Sequence, residues 1–328
     1  MTTSLSVVLP NFNGRDLLKS YLPFTFEALE NSGCTYEFLL VDDCSQDDSV
    51  EFVSQNYPQI RILKNEENRG FSFSCNRGIK ESVNELVFLL NSDIKLSPEY
   101  FRGLFPYFSN PETFGVMGKI LNRDGSKVEI GAKIPRRIGK YLKTDFQYLP
   151  FAESSTAPTL FLSGANALID RKKLIELGGF DELFSPFYSE DLDLGIRAWR
   201  MGWKCYFHDQ SHCYHLGSAT MKTQIQKDWV KTVYFRNRML FHAIHLETED
   251  LRWWKAQTLL LDVLPKLLIG KTWIWKSFKA LNALESGISQ SRNKLRHQLQ
   301  KKPGSRSLRQ VLTEFDRLMV SQQIIWKS

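Results

Sequence analysis

The stretch Leu86-Val87-Phe88-Leu89-Leu90-Asn91-Ser92-Asp93 decides the fold of this chain. Its five apolar residues form an uninterrupted run, which is typical of a strand buried on both faces of a parallel sheet. Its polar end places the Asp93 carboxylate just beyond the strand, where open α/β sheets bind their ligands. The stretch therefore predicts an α/β protein with a polar site along one edge of its sheet.

Strand and helix patterns alternate around this stretch. Apolar strand runs are predicted at residues 5–9, 37–41, 60–63 and 86–90. Helical patterns are predicted at residues 15–30, from residue 47, and at 71–82. This alternation predicts a mostly parallel, Rossmann-like sheet that is covered by helices on both faces.

Beyond Pro98 the pattern is less regular. Residues 123–160 are rich in Lys, Arg, Gly and Pro, and we interpret them as a mobile insertion near the site. A strand is predicted at residues 161–169, and helices are predicted at 171–177 and 189–201, each followed by a glycine. From Thr220 the pattern is helical almost to the end, with an interruption at residues 301–305.

The charge of the chain divides it into two parts. The net charge is +7, yet residues 222–328 alone hold 20 basic and 8 acidic residues and six of the eight tryptophans. We therefore predict a catalytic domain at residues 1–221 and a basic helical extension at residues 222–328. Such a composition is typical of helices in a membrane interface, although packing on the body is an open alternative. Nucleic acid is disfavoured because no recognised binding motif accompanies the charge.

Several classes of protein are disfavoured by what the sequence lacks. The five cysteines are scattered without a CxxC pair, which argues against a zinc finger or a disulfide framework. No basic and apolar leader precedes the first strand. The apolar residues 258–270 are interrupted by Asp262, Pro265 and Lys266, too often for a membrane span. We expect a cytoplasmic protein, or one that is peripheral on the inner face of the cell membrane.

Polar residues at predicted strand ends are candidates for ligand binding. At such a position Asp42 and Asp43 can accept hydrogen bonds from ribose hydroxyls or a base N–H, but Asp also suits turns and helix starts. Asp93 can supply an oxygen ligand to a hard divalent cation. His215 can supply a second ligand because imidazole suits manganese. A lone histidine near a strand end is more often structural, so the pairing with Asp93 is what favours a metal site.

A second acidic set opens the predicted helix at residues 189–201. Glu190 and Asp191 lie in its first turn, where the helix dipole favours negative charge. The same field is expected to keep Asp191 ionised, as a base that removes a hydroxyl proton requires. Asp193 and Arg197 lie one turn apart, and we expect them to form a structural ion pair.

Six short motifs follow one another along residues 4–220. They are Val8-Leu9-Pro10-Asn11-Phe12-Asn13-Gly14, Leu40-Val41-Asp42-Asp43-Cys44-Ser45, Asn68-Arg69-Gly70-Phe71, Leu90-Asn91-Ser92-Asp93, Gly178-Gly179-Phe180-Asp181-Glu182 and Ser189-Glu190-Asp191-Leu192-Asp193-Leu194. In this order and spacing they resemble glycosyltransferase family 2. The resemblance implies the A-type glycosyltransferase fold, a UDP-, dTDP- or GDP-sugar donor, a divalent metal (Mn²⁺ or Mg²⁺) and inversion at the anomeric carbon. It also implies a glycan or lipid-linked acceptor in the synthesis of surface polysaccharide or glycolipid.

The resemblance also implies roles for individual residues. Asp191 would be the catalytic base, and Asp93 and His215 would be the metal ligands. The donor-binding residues would be Pro10, Asn11, Asn13, Asp42, Asp43, Ser45, Arg69, Gly70, Asn76, Asn91, Ser92 and Asp93. The acceptor-side residues would be Gly164, Gly179, Asp181 and Glu190. The family often has an acid at the position of Asn91, so this chain departs from the pattern there.

Two other functions are compatible with the same motifs. One is a catalytically inactive nucleotide-sugar-binding protein within a polysaccharide assembly, against which the presence of Asp191 argues. The other is a nucleotidyltransferase on a similar sheet. Those enzymes usually carry a glycine-rich basic loop after the first strand, and the segment from Pro10 to Arg15 fits that pattern less well.

Overall fold

A computed structural model describes residues 3–139, 141–150, 157–215, 224–320 and 324–326. Strand and helix alternate through its first part. The elements are β1 (Ser4–Asn11), α1 (Arg15–Ser32), β2 (Thr35–Asp42), α2 (Ser49–Asn56), β3 (Ile60–Lys64), α3 (Phe71–Glu81), β4 (Leu86–Leu90) and β5 (Ile94–Leu96).

The middle of the chain is mainly strand, and the last part is mainly helix. The middle contains β6 (Thr113–Asn122), β7 (Val128–Ile130), β8 (Ala132–Ile138), β9 (Tyr141–Pro150), β10 (Ala157–Pro158), β11 (Asn166–Asp170), α4 (Arg171–Leu177), α5 (Glu190–Arg200) and β12 (Lys204–His215), with 3₁₀ turns at Phe105–Ser109 and Glu182–Phe184. The last part contains α6 (Gln224–His245), α7 (Thr248–Thr258), a π-helical turn (Leu259–Val263), α8 (Leu264–Leu268), α9 (Trp273–Asn282), α10 (Glu285–Lys301), α11 (Leu308–Val320) and β13 (Ile324–Trp326).

The central sheet has the order β10-β12-β6-β11-β4-β1-β2-β3. The predicted parallel part is confirmed, because β1 pairs in parallel with β2 and β4, and β2 pairs in parallel with β3. β11 runs antiparallel to both of its neighbours, so the other half of the sheet is mixed. The carboxyl ends of β1, β2 and β4 meet at one edge, which is where parallel sheets of this kind bind ligands.

Helices cover both faces of the sheet. The neighbouring residues Val7 and Val8 of β1 are both fully buried, and they belong to different hydrophobic cores. Alternate residues of a strand point to opposite faces, so continuous apolar runs are the expected sequence of such strands. α3 approaches the sheet closely at Gly78, where an added Cβ would lie 2.4 Å from a methyl carbon of Val8.

The interpretation of residues 123–160 as a mobile insertion is wrong for their described part. β7 pairs with β6, and β8, β9 and β13 form a separate antiparallel sheet. Apolar residues such as Ile134, Leu142 and Tyr148 are buried against the main core, while many of the basic residues between them stay outside it. The abundance of Lys and Arg concealed this alternation in the sequence. Residues 140 and 151–156 lie outside the described part.

The strand predicted at residues 161–169 and the predicted helical tail differ in extent from the structure. The predicted strand at 161–169 begins only at Asn166, because residues 163–166 form a turn that is closed by a hydrogen bond from Asn166 N to Ser163 O (3.2 Å). The predicted helical tail is confirmed up to α11, but the chain then adds β13 to β9. The start of this tail and the predicted domain boundary fall at residues 216–223, outside the described residues. Across the described ranges, none of the helices combines the length and the apolarity that crossing a membrane requires.

Candidate active site

Hydrogen bonds between neighbouring strand ends organise the first part of the site. Asn11 and Asp42 lie opposite each other at the ends of β1 and β2, and Asn11 Nδ2 donates to Asp42 Oδ1 (3.0 Å). Ser45 donates to the same carboxylate through Oγ (2.6 Å) and through its backbone N (3.0 Å). Asn13, which has a left-handed backbone (φ 52°), donates its backbone N to Ser45 Oγ (2.9 Å). The structure therefore brings these predicted donor residues together, beside Pro10 in β1.

Asp43 orders the loop that leads into α3. Its carboxylate accepts hydrogen bonds from the backbone N–H of Arg69 (3.1 Å) and Gly70 (2.8 Å) and from Asn65 Nδ2 (2.7 Å). The Arg69 guanidinium stands over the Phe73 ring at 3.5 Å and lies 3.7 Å from a Glu182 carboxylate oxygen. Asp42 and Asp43 thus act at least as turn residues, which is the alternative that the sequence left open.

Asp93 and His215 form the predicted pair. β5 pairs with the end of β12, so that Asp93 Oδ2 lies 3.1 Å from His215 Nε2. On the other side of the ring, Glu129 Oε2 lies 2.8 Å from Nδ1. The hydrogen bond with Asp93, supported by the bond with Glu129, raises the pKa of His215 to about 9 against the opposing effect of burial. A carboxylate on the far nitrogen is the arrangement that orients metal-binding histidines.

Buried acceptors without a partner lie along the same edge of the sheet. Asn11 Oδ1, Asn91 Oδ1 and Asp93 Oδ1 are inaccessible to solvent and have no hydrogen-bond partner. An added Cβ at Gly14 would lie 2.3 Å from Asn11 Oδ1 and 3.5 Å from Ser92 Oγ, so the glycine leaves these polar atoms room. Within the described ranges no cluster of three His, Cys, Asp or Glu side chains is suited to a metal. The residues still fit a hard divalent cation that takes few protein ligands and completes its shell with phosphate oxygens and water.

Asp191 lies in the first turn of α5, as predicted. The two residues before this helix, Tyr188 and Ser189, have left-handed backbones (φ 76° and 71°). Burial raises the pKa of Asp191, while the charge of Lys133 lowers it. The depression expected from the helix dipole alone is therefore outweighed by burial. Burial and the neighbouring Asp191 carboxylate raise the pKa of Glu190 well above its usual range, and Glu190 Oε2 has no hydrogen-bond partner.

α6 holds the loop that leads into α5. The buried Asn237 places Nδ2 within hydrogen-bond distance of the carbonyl oxygens of Phe184 (2.6 Å), Phe187 (2.8 Å) and Tyr188 (2.9 Å). His245 Nε2 lies 2.9 Å from Asp193 Oδ1. No motif marks either residue, since each acts on a segment about fifty residues earlier in the chain.

The predicted ion pair between Asp193 and Arg197 is confirmed, with 2.7 Å between Oδ2 and a guanidinium nitrogen. Arg197 also donates to the carbonyl oxygen of Gly179 (2.8 Å). Asp181 caps the next short turn by accepting from Leu183 N (3.1 Å). These contacts join the acceptor-side loop at residues 178–184 to α5.

Asn76 and Gly164 lie close to the acceptor-side loop or to the ring of Phe71 that packs on it. Asn76 was predicted to bind the donor, but its side chain donates to Phe180 O (2.9 Å) and accepts from Phe180 N (2.8 Å). Asn76 therefore lies against the predicted acceptor-side loop, and its role in donor binding stays a prediction. An added Cβ at Gly164 would lie 2.7 Å from the Phe71 ring, which packs edge-on against Phe180.

β7 and β8 connect the two parts of the site. Glu129 contacts His215, and Lys133, four residues later, acts on Asp191 through its charge. The segment before Asp191, residues 184–189, is called the catalytic loop below. It contacts the loop that Asp43 orders, because Phe71 N donates to Pro186 O (3.3 Å). Sequence analysis missed Glu129 and Lys133 because both lie in the stretch interpreted as a mobile insertion.

A mostly parallel sheet with a polar edge, an Asp–His pair beside it and an acidic helix start define an A-type glycosyltransferase fold. Residues 6–178 match the Glycosyl transferase family 2 sequence model, which covers more than half of the chain. The chain belongs to this family and is a glycosyltransferase.

Two curated relatives are similar over most of the chain. The N-acetylglucosaminyl-diphospho-decaprenol L-rhamnosyltransferase of Mycobacterium tuberculosis is 26% identical over 239 residues, which are 66% of this chain and 76% of that protein. The low-salt glycan biosynthesis hexosyltransferase Agl10 of Haloferax volcanii is 24% identical over 249 residues, 73% of this chain and 76% of that protein.

Two solved structures share the fold at low sequence identity. The structure of GalNAc-T7 with UDP, GalNAc and Mn²⁺ aligns with a TM-score of 0.66 at 15% identity, over 98% of this chain and 58% of that one. The mannosyltransferase PcManGT from Pyrobaculum calidifontis, in complex with GDP-Man and Mn²⁺, aligns with a TM-score of 0.54 at 15% identity, over 97% and 86% of the two chains.

Proposed function

We propose that this protein is an inverting glycosyltransferase that moves a hexosyl or deoxyhexosyl group from a nucleotide-diphosphate sugar to an acceptor hydroxyl. One observation carries the proposal: two consecutive strands, β7 and β8, connect the Asp93–His215 pair with Asp191 through Glu129 and Lys133. We infer that a donor at the sheet edge and a base at the start of α5 face one cleft. The donor-binding roles of the residues at the sheet edge are part of this proposal.

The reaction assigns a step to each group. Asp191 removes the proton of the acceptor hydroxyl, and that oxygen attacks the anomeric carbon while the bond to the diphosphate oxygen breaks. Asp93 and His215 would hold a divalent metal, which supplies charge neutralisation at the departing diphosphate when bound. Glu129 orients His215, and Lys133 favours the ionised form of Asp191. Glu190, with its raised pKa, keeps its proton and leaves the negative charge on Asp191.

The surroundings of Asp191 support a glycan or lipid-linked acceptor. Tyr188, Trp229 and Tyr234 are partly exposed next to the catalytic loop, and they are connected by edge-on ring contacts that include Phe187. Aromatic rings with one free face suit the apolar face of a sugar ring. Because the two curated relatives are named as a transferase onto a lipid diphosphate sugar and a glycan-synthesis enzyme, we infer a role in surface polysaccharide or glycolipid synthesis.

The donor class can be determined by calorimetric titration. UDP, dTDP and GDP should each be titrated into the full chain with Mn²⁺ and with EDTA. We expect one nucleotide to bind tightly and only with the metal. If no nucleotide binds to protein that gives a cooperative thermal melt, the donor site proposed here is wrong.

Asp191→Asn tests the base directly. General-base catalysis contributes roughly 10²- to 10⁴-fold, so we expect transfer to fall by about 10³-fold with unchanged nucleotide affinity. Asp316→Asn, an exposed site on α11, is the matched control and should keep full activity. Transfer by Asp191→Asn within tenfold of the wild type would exclude Asp191 as the base.

We also propose that α7 to α9, within a functional extension at residues 222–328, attach the catalytic domain at residues 1–221 to an anionic membrane surface. Trp253 is 69% exposed, Leu261 is 67% exposed and Leu268 is 87% exposed, and their spacing places them on one side of the helical run. Leu260, Leu264 and Ile269 are exposed beside them. These six residues together are called the apolar face below. Exposed cations occur in the same segment, namely Arg252, Lys255, Lys271, Lys276 and Lys279.

An apolar strip with a basic rim fits the headgroup region of an anionic bilayer. Not all tail tryptophans serve this surface, because Trp254 is buried and stacks on His242 at 5.4 Å. We therefore propose that the two alternatives from the sequence apply to different parts of the tail. α6 packs on the body, while the apolar face is available for the membrane.

Sedimentation with vesicles of phosphatidylcholine and phosphatidylserine tests the attachment. Leu261→Glu combined with Leu268→Glu should abolish co-sedimentation, because both side chains are exposed and the charges oppose insertion. Val83→Glu, at an exposed apolar site remote in sequence from the tail, is the control and should sediment like the wild type. Equal sedimentation of the double variant and the wild type would overturn this part of the proposal.

A further inference from the structure

A cavity of about 380 Å³ lies at the end of α5 opposite the candidate active site. It is open to solvent and is lined by residues of α5, α6, α7, α10 and the segment before α11. Asp191 and Arg200 lie nine residues apart on α5, so roughly 13 Å of helix separates the base from this cavity. Its volume falls in the range of small-ligand sites, about 300–1,000 Å³.

Four arginines line the cavity: Arg200, Arg292, Arg296 and Arg306. Among the described lining residues, Glu247 supplies the single carboxylate. The cavity is therefore strongly cationic.

Two of these arginines form short contacts with other groups. Arg306 forms an ion pair with Glu314. Arg292 donates to the carbonyl oxygens of Ala243 (2.7 Å) and Leu246 (2.8 Å), and so caps the end of α6. Both guanidinium groups are fixed in position by these contacts.

Arg200 donates Nε to the carbonyl oxygen of Arg306 (3.5 Å), and Arg296 is exposed. Neither forms an ion pair with a carboxylate of the described residues within 4.0 Å. Burial lowers the pKa of Arg200 to about 10, against the weaker opposing charge of Glu247. A partly buried cation without a carboxylate partner carries a desolvation cost, which a bound anion would offset.

We infer that this cavity binds a phosphate or diphosphate group at a site separate from the transfer site. Planar guanidinium groups match phosphate oxygens in pairs, and several of them converge here on a space large enough for a diphosphate. Two sources share this chemistry. One is the head group of a membrane lipid, because α7 extends from Thr248 at the cavity to Trp253 on the apolar face. The other is a soluble phosphate compound.

Calorimetric titration with inorganic pyrophosphate tests the site in the full chain. EDTA is included so that metal-dependent binding at the candidate active site does not contribute. Arg200→Gln and Arg296→Gln should each weaken pyrophosphate binding roughly tenfold, the usual loss for a charge-assisted hydrogen bond. Arg296 is exposed and should be replaceable without loss of folding, which a thermal melt verifies. Arg317→Gln, exposed on α11 outside the cavity, is the control, and Asp93→Ala should also leave this binding unchanged.

Vesicles of phosphatidylcholine with phosphatidic acid distinguish the two sources. If a lipid head group is the ligand, Arg296→Gln should bind these vesicles more weakly than the wild type and the Arg317→Gln control. If the ligand is soluble, pyrophosphate should bind while the variant and the wild type sediment alike. Should neither pyrophosphate nor these vesicles distinguish the cavity variants from the wild type, the inference is wrong, whatever the outcome for transfer activity.

Discussion

The donor edge and the catalytic loop are held in place by different kinds of contact. At the donor edge, Asn11, Asp42 and Ser45 bind one another, and all three belong to short motifs at the ends of adjacent strands. The loop before Asp191 is held instead by Asn237 from α6. The donor edge is thus a local construction of the sheet, whereas the catalytic loop depends on a helix from the tail. If Asp191 is the base, as proposed, α6 positions the loop that carries it.

After Asp191→Asn, the largest effect that separates the two regions is expected for Asp93→Ala. The change removes an oxygen ligand and leaves His215 without its partner at 3.1 Å, so metal-dependent nucleotide binding should fall by about 10–100-fold. Asp316→Ala on α11 should have no effect. Titration calorimetry at fixed Mn²⁺ measures the change. An unaltered affinity would show that Asp93 does not take part in metal-dependent donor binding.

Asn237→Ala should act on the catalytic loop alone. Three carbonyl oxygens lose their donor, so the free energy of unfolding should fall by about 2–3 kcal/mol and transfer should decrease, while nucleotide affinity is unchanged. Asn293→Ala, exposed on α10, is the control. Chemical denaturation and steady-state kinetics measure both quantities. A loss of nucleotide affinity as large as the loss of transfer would contradict the separation of the two regions.

The attachment of α6 should weaken in acid. His242 Nε2 accepts from Leu142 N (3.0 Å), Nδ1 donates to Arg238 O (2.7 Å), and burial lowers the pKa of the ring to about 4. An unfolded histidine titrates near 6.5, so this contribution to stability is present above about pH 6.5 and is lost as the pH falls towards 4. The charges of Arg238 and His245 act in the same direction.

Thermal melts of the wild type and His242→Phe between pH 7.5 and pH 4.5 test this prediction. The wild type should lose more stability than the variant over this range. If both proteins lose the same stability over this range, protonation of His242 does not weaken the attachment of α6. Glu190 acts oppositely, since its raised pKa makes the folded protein less stable as the pH rises, and it contributes equally to both proteins.

The smallest effect is expected for Lys133→Gln. Its charge lowers the pKa of Asp191, so the pH below which transfer is lost should move upward, and the rate at high pH should change little. Lys127→Gln, exposed in the turn before β7, is the control. A pH–rate profile measures the shift. If the acidic limb stays in place or moves downward, Lys133 does not act on the base.

The sequence made the sheet and its edge predictable because both depend on local signals. An apolar run followed by Asn91-Ser92-Asp93 specifies a strand and its polar end within eight residues. Asp93 and His215 were paired from the family resemblance and from metal chemistry, and β5 and β12 bring them together. The remainder was not predictable, because Glu129 and Lys133 lie on strands whose alternation is masked by basic residues, and Asn237 lies in an ordinary helical pattern.

Dependence of the catalytic loop on α6 has a consequence for how the chain is made. Domains generally begin to fold from the amino end while synthesis continues. The strands that form the donor edge are complete once β4 has left the ribosome. The carbonyl oxygens at residues 184–188 receive their hydrogen bonds only when Asn237, about fifty residues further on, has been synthesised. On the proposed function, a nascent chain therefore forms its donor edge first and becomes competent for transfer only after α6 has been synthesised.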